Sequence, residues 1–92
     1  MELVVVGSPT CAPCKILTKV LKEEEIPFTY VDATKNEEFV KRHNIELTPT
    51  TLLFEERVTD DYALSMVVGY DDIKEDQIFE LVDLLWWKIS LM

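Results

Sequence analysis

Apolar positions along the chain change their spacing several times, and each change marks an element. Leu3 to Val6 form an unbroken apolar run rich in Val that ends at Gly7-Ser8-Pro9, the pattern of a buried strand closed by a turn. From Cys11 the spacing becomes helical. Leu17, Val20 and Leu21 share one face, which predicts a helix from about Cys11 to Glu24 with Thr10 as its N-cap. Pro13 falls in the first turn, where amides have no helical partners, and Pro27 disfavours helix at Ile26. Phe28 to Val31 alternate weakly and read as a second strand. A second helix fits Asn36 to His43, with Glu37 and Glu38 early and Lys41 and Arg42 late, as the helix dipole favours. Asn44 suits the left-handed position that closes a helix. Thr50 to Phe54 and Ser65 to Val68 read as the third and fourth strands, joined by a hairpin loop longer than a two-residue turn, with Gly69 ending the fourth. Asp72, with Glu75 three residues on, predicts a capping-box start to a last helix reaching about Lys88.

The order is β-α-β-α-β-β-α. A strand–helix–strand unit at this spacing makes a right-handed crossover and a parallel pair, and the hairpin adds an antiparallel one. The expected architecture is α/β: a four-stranded mixed sheet flanked by three helices. With 92 residues, 1–92 forms one domain. Hydrophobic residues at 48%, with only two Gly and four Pro, argue against disorder and linkers.

Charge narrows the function. Eighteen acids against nine bases give a net charge of −9, the wrong sign for a phosphate backbone, so nucleic acid is excluded as a primary ligand. No stretch is apolar for the length of a membrane span. The acidic, unflanked start at Glu2 does not read as a signal peptide, and the expected location is the cytoplasm.

Both cysteines lie in Cys11-Ala12-Pro13-Cys14. Two cysteines do not make a disulfide-rich scaffold, and a structural bridge is out of place in a reducing compartment. Redox chemistry, a metal and coincidence remain. Zn²⁺ wants about four ligands, and the single histidine, His43, stands at the end of a charged helix, where it reads as solvated; no metal is expected. A Cys-x-x-Cys that follows a strand and opens a helix has a purpose of its own. The first cysteine sits among unpaired amides at the positive end of the helix dipole, so its pKa falls below the free thiol value of about 8.5. Cys11 is therefore the candidate nucleophile. Cys14, one turn on, is the candidate resolving thiol, and the two form a redox-active disulfide.

At these residues the chain resembles the thioredoxin/glutaredoxin family. Ser8-Pro9-Thr10-Cys11-Ala12-Pro13-Cys14-Lys15 is similar to its active-site loop, with Pro13 and Lys15 in the thioredoxin form. Val31-Asp32 and Ile45-Glu46-Leu47-Thr48-Pro49-Thr50 are similar to its second strand and cis-proline loop, and Gly69 matches its hairpin glycine. The resemblance implies a thioredoxin-like fold, a cis Pro49 beside the cysteines, and substrate binding along Thr48, Pro49, Gly69 and Tyr70. Asp71 and Asp72 match the region that helps hold glutathione in glutaredoxins; helix capping explains them equally well. The chain also departs from the family. Thr10 stands where thioredoxins carry Trp, Val5 where they carry a buried acid, and Ser8 where a glutathione-binding Lys is common.

The expected activity is that of a small thiol–disulfide oxidoreductase, a dithiol electron carrier that reduces protein disulfides. Its electrons come from a thioredoxin-type reductase or from glutathione, and no bound cofactor is needed. The alternative is a binding module of the same fold, using the cis-proline face and the apolar tail Leu81–Met92. That tail is apolar on more than one helical stripe. It is either a helix packed on the sheet with both flanks covered, or an interaction surface for a partner or for a second copy, as a weak dimer of an otherwise monomeric chain.

Overall fold

The computed structural model describes residues 1–57 and 62–90, of which 87–90 by backbone alone. Strands β1 (Glu2–Gly7), β2 (Thr29–Asp32), β3 (Thr50–Phe54) and β4 (Ser65–Val68) form one sheet in the order β2-β1-β3-β4. β1 runs parallel to β2, and both β1–β3 and β3–β4 are antiparallel. Helices α1 (Ala12–Glu23), α2 (Glu37–Arg42) and α3 (Asp72–Ser90) complete the α/β architecture expected from the sequence, with one 3-10 turn at Ala33–Lys35.

The unbroken apolar run of β1 has its cause in two cores, one on each face of the sheet. Leu3 and Val5 pack with Leu17 and Leu21 of α1, Leu53 of β3, and Ile78, Val82 and Leu85 of α3. Val4 and Val6 point the other way, to Val31, Leu52 and Phe54, with Phe39 of α2 against them. A strand covered on both sides has no polar positions to alternate with. Each such side chain, taken wholly out of water, contributes roughly 1.5–3 kcal/mol.

Several element ends differ from expectation. α1 begins at Ala12 and its N-cap is Cys11, not the exposed Thr10. α3 is capped by Asp71 rather than by Asp72: the Asp71 Oδ1 accepts from the Lys74 amide at 2.8 Å, and its carbonyl accepts from the Glu75 amide at 2.8 Å. α2 is shorter than predicted, and Asn44 closes it at φ 53 as its residue type suggested. His43 is the clearest correction. It is buried, with its ring 4.5 Å from that of Phe39 and edge-on to Phe54 at 5.2 Å. The residue that caps the end of the short helix turns inward onto the second core instead of into solvent.

In the tail, Ile78, Leu81, Val82 and Leu85 are buried, while Leu84 and Trp86 stay about half exposed. One apolar stripe is therefore covered and the other is not. Part of the expected hairpin loop, 58–61, lies outside the described residues, as do the side chains of 87–90. Among the described residues no helix is long and apolar enough to cross a membrane.

Candidate functional site

The sheet register gathers the predicted residues at one end. Val6 pairs with Thr50, and Thr50 with Val68. The loop after β1, the residues before β3 and the residues after β4 therefore all emerge at the same edge of the sheet. These are Ser8–Cys11, Thr48–Pro49 and Gly69–Asp71. The Thr48–Pro49 peptide is cis, and the Gly69 amide donates to the Pro49 carbonyl at 2.8 Å, tying two of the three segments together. Gly69 has φ +86, where a side chain is strained, so its glycine answers a backbone need.

Cys11 and Cys14 are joined as a disulfide, with Cα atoms 5.3 Å apart. Cys11 is 9% exposed and Cys14 is 1% exposed. The Cys11 Sγ accepts a hydrogen bond from the Cys14 amide at 3.2 Å, so the sulfur itself satisfies one of the orphan amides that begin a helix. An anion at that atom gains from both the amide and the helix dipole. Pro13 lies in the first turn, where its missing N–H costs nothing. Thr18 donates from Oγ1 to the Cys14 carbonyl at 3.0 Å, one turn further along α1.

An open cavity of about 240 Å³ flanks Cys14, lined by Cys14, Lys15, Thr18, Lys22, Phe28 and Tyr30. One of its lining residues, Tyr30, is a residue that the sequence reading passed over. Tyr30 is paired with Val5 in the parallel register, so its side chain leaves the sheet on the α1 face. Gly7, two residues past Val5 on that face, leaves the room it needs: a Cβ there would lie 2.7 Å from the Tyr30 oxygen and 3.1 Å from the Cys14 Sγ. The available signal was scarcity. Gly7 is one of two glycines in the chain, and it closes a strand made otherwise of large apolar residues. Burial pushes the Tyr30 hydroxyl above its ordinary pKa of 10.0, and the nearby Asp32 carboxylate adds to this. Asp32 is itself held below the usual carboxylate range by hydrogen bonds from the side chain and backbone of Thr34, with Lys35 assisting.

Tyr70 is half-buried against the first core. Its hydroxyl is likewise pushed up, first by burial, then by the charges of Glu75 and Asp72, with a hydrogen bond to Glu75. Asp71 spends one carboxylate oxygen on the α3 cap, and Asp72 is exposed in the first helical turn. Val5 is fully buried among apolar side chains. Among the described residues no three His, Cys, Asp or Glu side chains gather as a metal site.

Comparison with known proteins agrees with this geometry. The family profile described as Thioredoxin matches residues 2–80. The SPbeta prophage-derived thioredoxin-like protein YosR of Bacillus subtilis (strain 168) is 32% identical over 80 residues, covering 87% of this chain and 96% of that protein. Among solved structures, thioredoxin f2 of Chlamydomonas reinhardtii superposes with a TM-score of 0.66 at 22% identity, over 90% of this chain and 76% of the other. Thioredoxin 1 of Thermosipho africanus TCF52B superposes with a TM-score of 0.67 at 14% identity over the whole of both chains. With the fold, the position of the cysteine pair and these likenesses in agreement, the chain belongs to the thioredoxin family.

Proposed function

We propose that this chain is a dithiol carrier that reduces protein disulfides through Cys11 and Cys14, acting as one domain in the cytoplasm. The observation that carries the reading is the place of the Cys11 sulfur: at the first amides of α1, accepting from the Cys14 N–H and bonded to Cys14. In the reduced protein the Cys11 thiolate attacks one sulfur of a substrate disulfide. A Cys11–substrate disulfide forms and the other substrate sulfur leaves as a thiolate. Cys14, deprotonated, then attacks the Cys11 sulfur, closing the Cys11–Cys14 disulfide and releasing the second substrate thiolate. Two electrons pass from the dithiol to the substrate. They are restored by a thioredoxin-type reductase or by glutathione, and the chain needs no bound cofactor.

Thr48, Pro49, Gly69 and Tyr70 form the substrate edge beside the cysteines. The shared end of the sheet at which they emerge supports this placement, since an extended substrate segment laid there would meet the residues before β3 and those after β4. Asp71 and Asp72 are available to a glutathione amine, although Asp71 has only one carboxylate oxygen left for it. The test is insulin-disulfide reduction with dithiothreitol. The wild type should accelerate it and Cys11→Ser should not; equal rates for the two would refute the reading.

A further inference from the structure

Resolution requires Cys14 as a thiolate, yet the residue is buried, and burial opposes ionisation. On the face of the strand beneath it, Leu3, Val5 and Gly7 offer no ionisable group, and the acid of that strand, Glu2, alternates to the other face. A polar atom near the sulfur comes from the neighbouring strand. The Tyr30 hydroxyl and the Cys14 Sγ lie 2.7 Å and 3.1 Å from one and the same point, the place a Gly7 Cβ would occupy, so their separation cannot exceed the sum of those distances. The same two residues line the cavity that opens to solvent beside Lys15 and Lys22.

We propose that Tyr30 is the positioning residue of the resolving step: its hydroxyl donates a hydrogen bond to the Cys14 sulfur as that sulfur becomes a thiolate, and the cavity is the route by which the proton leaves. The inference rests on the dithiol-exchange reading above. In the step, the Cys14 proton passes to water in the cavity and on to bulk buffer. The Cys14 sulfur bonds to the Cys11 sulfur, the Cys11–substrate bond breaks, and the substrate sulfur leaves with the electron pair. Tyr30 keeps its own proton throughout. Desolvation and the Asp32 charge both favour its neutral form, which makes it a donor and not a base. The charged groups around it are Lys15 and Lys22 from α1 and Asp32 from β2 itself; the β1 residues on its face, Leu3, Val5 and Gly7, carry no charge. A hydrogen bond to an ionised acceptor is stronger than one to a neutral acceptor, so the donor favours the thiolate over the thiol.

The experiment has two arms. In Cys11→Ser, the Cys14 titration is followed by its ¹³Cβ shift, with and without Tyr30→Phe. Removing the hydroxyl should lower the thiolate fraction at neutral pH about tenfold, the size set by one charge-assisted hydrogen bond. With both cysteines intact, Tyr30→Phe should slow release of reduced substrate from a preformed mixed disulfide by a similar factor, and the gap should close at alkaline pH as Cys14 ionises in both proteins. An unchanged Cys14 midpoint, or a rate loss independent of pH, overturns the proposal. If Tyr30→Phe does not fold, the Tyr30 ¹³Cζ shift in Cys11→Ser decides. It should inflect at the Cys14 midpoint and lose that inflection in Cys11→Ser/Cys14→Ala; a flat curve overturns the proposal. A wild type that forms no mixed disulfide would sink the exchange reading instead, and the Cys14 titration would still report on Tyr30 by itself.

Discussion

Replacing Gly7 with Ala places a methyl group where Tyr30 and Cys14 already meet. The new Cβ would stand 2.7 Å from the Tyr30 oxygen, 2.9 Å from its Cε2 and 3.1 Å from the Cys14 Sγ. Gly7 does not have a positive φ, so its backbone tolerates a side chain and only space opposes one. On backbone grounds alone the substitution stabilises by about 0.4–1 kcal/mol, because Ala has fewer unfolded conformations to lose. Overpacking a filled site costs about 1–3 kcal/mol. Tyr30 is 44% exposed and its ring can swing outward, which keeps the cost toward the lower end, whereas the Cys14 sulfur is held by its bond to Cys11. The net expectation is a loss of about 1 kcal/mol in the oxidised protein, read in urea as a fall of about 0.5–1 M in the midpoint. In a Tyr30→Ala background only the 3.1 Å contact to sulfur remains. The same substitution should then be close to neutral, giving a coupling of about 1 kcal/mol between the two positions. A Gly7→Ala protein as stable as the wild type, or an equal penalty in both backgrounds, would refute the account of why this strand ends in glycine.

Other consequences are as direct. Asp71→Ala should cost about 1 kcal/mol of stability through loss of the α3 cap, and Asp71→Asn or Asp71→Ser should recover most of it, by the same urea assay. In the reduced protein, iodoacetamide should label Cys11 before Cys14 across neutral pH, since Cys11 is the more exposed thiol and stands at the helix N-terminus; peptide mapping identifies the site. The raised tyrosine pKa values set the alkaline limit. Above about pH 10.0 the folded chain retains protons on Tyr30 and Tyr70 that the unfolded chain loses, so stability should be level below that pH and fall through the raised values. Tyr70→Phe should remove part of the fall, as thermal unfolding against pH would show.

The strands, the hairpin order and the cysteine pair were legible because each has a local signature. Leu3–Val6 is a continuous apolar run, Thr50–Phe54 and Ser65–Val68 are bounded by turn residues, and the cysteines follow a strand directly. What stayed hidden depends on contacts between distant segments. Tyr30 reaches Cys14 only because β2 lies beside β1 in the register that pairs Val5 with Tyr30, and no pattern within Phe28–Val31 carries that offset. His43 looked solvated because its helix is charged, and its burial follows from Phe39 and Phe54 meeting it across the second core. The α1 cap was assigned to Thr10 on residue preference, and the sulfur of Cys11 took the position because the helix starts one residue later. At Asp71 and Asp72 the two readings were capping and ligand binding, and the geometry gives the capping bond to the first of the pair.

That Cys11 is a helix cap as well as a reactive atom bears on how the protein should be inactivated in the laboratory. A sulfur in a thiolate, a mixed disulfide or the closed disulfide keeps lone pairs, so the α1 N-terminus can retain its acceptor while the bond partners of that sulfur change. Serine keeps an acceptor at the same place and loses only the chemistry; alanine loses both, and its defect mixes a missing nucleophile with a frayed helix. Cys11→Ser is therefore the clean reference for the exchange reaction, and the difference in stability between Cys11→Ser and Cys11→Ala measures what the sulfur contributes to the scaffold apart from its redox work.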